Sequence, residues 1–258
     1  MSVLSVNVNK IALLRNSRGT NYPDLLHFVR KILGHGIKGI TVHPRPDERH
    51  ITRQDARDIA ALLQAHPDVE FNVEGYPSAD FMALIDELRP AQCTLVPDEP
   101  GQLTSDHGWQ IASSRRLLDD VLPQLRQWNV RSSLFLDPDP AAAELAADVG
   151  TDRIELYTEH YAQTFAAADG QQTQSVLATY FATADRAMAC GLGVNAGHDL
   201  NLRNLAMFLS GGQVLEVSIG HALIVESLEL GMDEVLRRYQ AIMAAAPQSG
   251  ADDASRGA

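Results

Sequence analysis

Eight short apolar runs alternate with helical patterns along 258 residues, and that rhythm predicts a closed (β/α)8 TIM barrel. The runs lie at 3–8, 39–43, 69–73, 92–96, 132–136, 153–157, 193–195 and 214–219. Helical patterns fill the intervals at 23–34, 52–65, 78–88, 110–127, 139–148, 173–190, 200–209 and 232–245. Strands separated by helices pair in parallel, and eight of them favour closure over an open sheet. No Gly-x-Gly-x-x-Gly follows the first run, which argues against a dinucleotide-binding sheet.

Each element has a local reason. Residues 1–11 alternate apolar and polar, as a strand does, and lack the charged and apolar blocks of a secretory leader. Thr52 and Asp55 form an N-cap pair that opens the helix at 52–65. Pro138 and Pro140 mark the start of the helix at 139–148. The stretch 158–171 is long for a plain loop and is expected to be a lid or an extra element. A second lid candidate is 98–108. No linker interrupts the chain, so residues 1–246 are read as one barrel domain. The small polar residues 247–258 are read as a frayed tail.

Composition excludes whole classes of partner. The 33 acidic and 21 basic residues give a net charge of −12, a surface that repels nucleic acid and anionic membranes. No stretch holds 18 consecutive apolar residues, so no membrane span is expected. Cys93 and Cys190 lie far apart without metal-ligand spacing, which suits reduced thiols in a cytoplasmic protein.

Period-2 alternation separates the two faces of each strand. Val69, Phe71 and Val73 face the helices, while Glu70, Asn72 and Glu74 face the lumen. The same phase sends Ser5, Asn7, Asn9, Thr41, His43, Glu155, Tyr157, Glu216, Ser218 and Gly220 inward. Barrel lumens are usually filled by Val, Ile and Leu, so this polar set points to a site at the C-terminal mouth or to an internal hydrogen-bond network.

Four segments carry candidate chemistry. In Thr-Val-His-Pro-Arg-Pro-Asp-Glu-Arg-His-Ile, His43 ends a strand, and Arg45, Arg49 and His50 follow. Imidazole moves protons near neutral pH, and guanidinium matches phosphate, although a solvated basic loop fits the same pattern. In Gly-Val-Asn-Ala-Gly-His-Asp, His198 stands just past a strand end, as either a catalytic residue or the cap of a turn. Gly220 and His221 lead from the last strand into a short helix whose N-terminal amides suit an anion. Lys10, Arg15 and Arg18 concentrate charge after the first strand, as a phosphate clamp or a solvated helix turn. His43, Glu70 and His198 include metal-ligand types, but no pair has His-Glu-x-x-His spacing, and no metal is expected. The other readings are a sugar-phosphate aldolase using Lys10, a metal-dependent epimerase, and a catalytically silent phosphate-binding barrel.

Taken together, the segments VNVNKIALLRNSRG, GITVHPRPDERHIT, VEFN, LVP followed by LT, RIELYTEHYA, VNAGHDL and SIGHALI resemble the pyridoxine 5′-phosphate synthase family. They run in family order over residues 3–224. The resemblance implies a barrel with extra helices, assembled as an octamer, and a transferase that uses neither metal nor organic cofactor. It implies condensation of 3-amino-2-oxopropyl phosphate with 1-deoxy-D-xylulose 5-phosphate, releasing phosphate and water. The positions matched by His43 and Glu70 are proton acceptors, and that matched by His198 is a proton donor. Those matched by Arg45, His50 and Thr104 bind the sugar phosphate, as do Asn9 and Lys10. Those matched by Asn7, Arg18, Gly220 and His221 bind the amino ketone phosphate, with Asp199 beside them. Many relatives carry Asp-His where this chain has Asn9-Lys10, and Gly where it has Asp199. The residues alone leave open whether Glu70 or Glu74 is the principal base.

Overall fold

A computed structural model describes residues 2–98, 102 and 105–247. The strands are β1 (Val3–Asn7), β2 (Gly39–Val42), β3 (Glu70–Gly75), β4 (Gln92–Leu95), β5 (Arg131–Leu136), β6 (Arg153–Tyr157), β7 (Gly193–Gly197) and β8 (Glu216–Ile219). All pair in parallel in chain order, and β1 closes on β8, so the barrel is complete. The helices are α1 (Asn9–Asn16), α2 (Leu25–Gly34), α3 (Arg53–Leu63), α4 (Ala79–Leu88), α5 (Ile111–Gln127), α6 (Pro140–Val149), α7 (Glu159–Ala166), α8 (Gly170–Ala189), α9 (Leu205–Phe208), α10 (His221–Leu230) and α11 (Met232–Ala245). The (β/α)8 expectation therefore holds, with extra helices. The tail at 248–258 and Thr104 lie outside the described residues, as does part of the lid candidate at 98–108.

The expected strand phase also holds. Val6, Ile40, Val42, Phe71, Val73, Leu134, Ile154, Val194 and Val217 are buried in one apolar cluster with the helices. Inside, Ser5 Oγ and Thr41 Oγ1 are 2.7 Å apart, and Thr94 Oγ1 donates to Asn72 Oδ1 at 3.1 Å. The lumen is thus wired side chain to side chain, which removes most of the cost of unpaired buried groups.

Local signals account for several element starts. Thr52 Oγ1 accepts from the Asp55 amide at 3.0 Å, and Asp55 Oδ2 accepts from the Thr52 amide at 2.8 Å, completing the capping box. Pro140 occupies the first turn of α6, where its missing N–H costs nothing. Residues 158–171 hold α7, an extra helix rather than an open loop. The region 200–209 holds only a short α9 and a following 3₁₀ turn, because Asn201 and Asn204 side chains bond the local backbone instead.

Arg15 is not a free cation for phosphate. Its guanidinium grips both oxygens of Asp55, at 2.5 and 2.7 Å, and ties α1 to α3. Among the described residues, no helix is long and apolar enough to cross a membrane.

Candidate active site

The C-terminal ends of the strands gather the titratable groups. His43 follows β2 and is buried, and its backbone N–H donates to Asn9 Oδ1 at 2.9 Å. The Asn9 amide donates in turn to Asn7 Oδ1 at 3.0 Å, so the start of α1 fixes the end of β2. Glu74 Oε2 lies 3.9 Å from His43 Nδ1 and accepts from Asn7 Nδ2 at 3.4 Å. Burial and the charge of Arg45 push the His43 imidazole well below its usual range, so the ring is neutral and one of its nitrogens is an acceptor. Burial and the carboxylates of Glu155, Asp98 and Glu216 push Glu74 well above the usual carboxyl range. Two adjacent groups with opposed shifts are what acid/base exchange near neutral pH requires.

Glu70 does not join this pair. It begins β3, at the opposite end of the barrel, four residues or about 13 Å of strand from Glu74. There it accepts a two-pronged ion pair from Arg131, with one contact at 3.1 Å, and that bond lowers its acidity range. The expected placement of Glu70 at the reacting end is therefore corrected: β3 brings Glu74 to His43, not Glu70. His43, Glu70 and His198 are for the same reason not a ligand set, and no group of metal-binding side chains occurs among the described residues.

The remaining expected residues divide by location. Arg45 is buried and ion-paired with Asp98, and its Nη1 donates to the Gln102 carbonyl at 2.9 Å. Ser105 Oγ also donates to Asp98, at 2.8 Å. His50 packs edge-on to His43, with centroids 6.2 Å apart, and its Nδ1 accepts from the Ile51 amide at 2.9 Å. Burial, Arg45, Lys10 and Arg49 lower His50 to about 4, so it is neutral, with its proton on Nε2 ready to donate. A cavity of about 270 Å³ opens here, lined by His43, Arg45, Tyr76, Phe81 and Asp98. Gly220 precedes α10 and lies so close to β1 that a Cβ there would sit 3.0 Å from Asn7. His221 is exposed at the start of α10. Arg18 is exposed beyond α1, and no described contact brings it to the mouth.

His198 and Asp199 follow β7 with φ of 79° and 55°, a left-handed pair of non-glycine residues. Each costs on the order of 1–2 kcal/mol, so the surroundings must hold them. Thr158 Oγ1 donates to the carbonyls of Gly197 (2.9 Å) and His198, and Asn204 Nδ2 donates to the Asp199 carbonyl at 3.1 Å. A Cβ at Gly197 would stand 2.2 Å from Glu155 Oε1, so a side chain there would displace that carboxyl.

Deeper in the lumen, burial and Glu216 raise Glu155, whereas Thr94 opposes the shift. Burial raises Glu216 to about 7 despite Arg153. The unfolded carboxyl releases its proton near the ordinary 4.5 and the folded one near 7, so stability is full below the first value and falls as pH rises to the second. The loss reaches at most about 3 kcal/mol. Urea unfolding at a series of pH values is expected to show a shallower decline in this window for Glu216→Gln; equal slopes would reject the shift.

The chain matches the family described as Pyridoxal phosphate biosynthesis protein PdxJ over residues 4–245. It belongs to the PdxJ family. A relative from Albidiferax ferrireducens named pyridoxine 5′-phosphate synthase is 50% identical over 242 residues, covering 92% of this chain and 95% of its own. One of the same name from Porphyromonas gingivalis is 48% identical, covering 93% and 98%. Among solved structures, a mutant tryptophan synthase alpha-subunit from Pyrococcus furiosus aligns with a TM-score of 0.61 at 12% identity, covering 94% of this chain and 98% of that one. A structure from Aquifex aeolicus aligns with a TM-score of 0.62 at 13% identity, covering 96% and 93%. Both likenesses show the barrel fold of this PdxJ-family chain.

Asp98 was not singled out by the sequence. It lies in a loop beyond a strand end, and its only signal was the position after Leu-Val-Pro.

Proposed function

We propose that this PdxJ-family enzyme is a pyridoxine 5′-phosphate synthase, joining 3-amino-2-oxopropyl phosphate to 1-deoxy-D-xylulose 5-phosphate. The amine adds to the ketone to give an imine, a carbon–carbon bond closes the ring, and one phosphate and two waters leave. Every step is an addition, an elimination or a proton transfer, and none changes the total oxidation level. The reading therefore gives no step to a cofactor.

The observation that carries it is the His43–Glu74 pair, a neutral imidazole 3.9 Å from a raised carboxyl in a buried mouth. His43 accepts protons released on imine formation and closure, and Glu74 exchanges them at the second centre. His198 protonates a departing oxygen. Arg45 and His50 hold the sugar phosphate, with Lys10, Thr104 and Asn9 assigned beside them. Asn9 acts through the end of β2, since its Oδ1 is committed to the His43 amide. Gly220, His221, Asn7 and Arg18 are assigned to the amino ketone phosphate, which the N-terminal amides of α10 suit. We read the assembly as a homo-octamer, and light scattering is expected to return an eight-chain mass.

The test is a turnover assay in chelator-treated buffer with both phosphorylated substrates, following the absorbance of pyridoxine 5′-phosphate. Product is expected. Binding of both substrates without product would leave the silent barrel as the better reading.

A further inference from the structure

In the segment after β7, Asp199 stands where many relatives carry glycine, and the resemblance alone would set it against a substrate phosphate. In the structure its carboxylate bonds the neighbouring imidazole and also feels His221. Asp199 Oδ2 lies 2.8 Å from His198 Nδ1. Tyr157 packs edge-on to the same ring, with centroids 5.0 Å apart. Tyr157 is itself held by donating its hydroxyl to Glu159.

We propose that Asp199 is a positioning residue: its carboxylate holds the His198 ring through Nδ1–H, so that the proton delivered to the substrate comes from Nε2. This rests on the reading of His198 as the proton donor. A carboxylate on one ring nitrogen fixes the tautomer and stabilises the doubly protonated ring. In the step, the Nε2–H bond breaks and its proton passes to the departing hydroxyl, which leaves as water. The ring ends neutral with Nδ1–H still on Asp199, and solvent returns the proton to Nε2.

Two further observations support the arrangement. The backbone of the consecutive left-handed residues His198 and Asp199 is held by Thr158 and Asn204, which fixes the segment from which this partly exposed side-chain pair projects. The hydrogen bond to His198 also holds the Asp199 carboxyl below the usual carboxylate range, so it is charged at neutral pH. The other titratable groups that act on this pair are Tyr157 and His221, and Glu159 and Asp106 act in turn on Tyr157. Tyr157 stays protonated, because burial and Glu159 push its hydroxyl up.

The experiment compares wild type with Asp199→Asn, which keeps the shape and removes the charge, and with Asp199→Gly. In Asp199→Asn, kcat is expected to fall about tenfold with KM within about twofold. Asp199→Gly gives the same split if it folds. A lower KM with unchanged kcat would mean that the carboxylate faces a substrate phosphate, and would overturn the proposal. Nitrogen-15 NMR of His198 without substrate is expected to show Nδ1 protonated in wild type, a signature weakened in Asp199→Asn. Identical spectra overturn the dyad even in an active enzyme. Absence of product from wild type would instead reject the synthase reading, and the spectra would still decide the contact.

Discussion

Glu74→Gln is expected to lower turnover by a factor on the order of 10²–10⁴ while leaving the barrel folded. The fold survives because burial and neighbouring carboxylates already favour the protonated acid at Glu74, and Gln copies its shape without its exchangeable proton. Glu70→Gln is the matched control. It weakens the ion pair with Arg131 at the far end, and stability falls by about 1 kcal/mol because the pair is partly exposed. Its turnover stays near wild type. The measurement is kcat for both variants beside their denaturation midpoints. An active Glu74→Gln with an inactive Glu70→Gln would return the base to Glu70.

That pair of variants marks where the sequence stops being legible. Alternation in Val-Glu-Phe-Asn-Val-Glu gives the lumenal face of β3, and the structure agrees residue by residue. Alternation says nothing about which end of the strand a residue reaches. Reading the strand as ending at 73 rather than at Gly75 left the two carboxylates undecided, and the added length carries Glu74 to the mouth. Boundaries depend on caps and tertiary pairing more than on period. Helix α1 escaped for a related reason, and α7 was legible only as an extra element at 158–171: neither has a side-chain cap bond at its start, so no local cap announces a helix. The capping box at Thr52, which is local, was legible. Arg15 looked like a phosphate ligand because its partner, Asp55, is 40 positions away. Long-range ion pairs leave no trace in spacing, and Arg45–Asp98, 53 positions apart, is another instance.

Arg45→Met is expected to cost both stability and substrate affinity, and a second substitution separates the two. Asp98 is 5% exposed, among the described residues its Oδ1 has no hydrogen-bond partner, and Arg45 is the cation paired with it. Removing the guanidinium strands a buried carboxylate at a cost of about 3–5 kcal/mol. Arg45→Met/Asp98→Asn removes both charges and keeps an acceptor for Ser105, so most of that stability returns. Substrate affinity does not return with it. Arg45 has five donors and commits one to Asp98 and one to the Gln102 carbonyl, so further N–H groups remain for a phosphate. A charge-assisted contact of about 1.5–3 kcal/mol corresponds to a KM for the sugar phosphate raised about 10- to 100-fold in both variants. Thermal melts and steady-state kinetics on the single and double variants provide the check. A double variant with both stability and KM restored would make Arg45 a structural partner of Asp98 alone. A stable double variant with KM still raised assigns the ion pair its function, which is to keep a guanidinium buried, oriented and only partly satisfied beside His43 until an anion arrives.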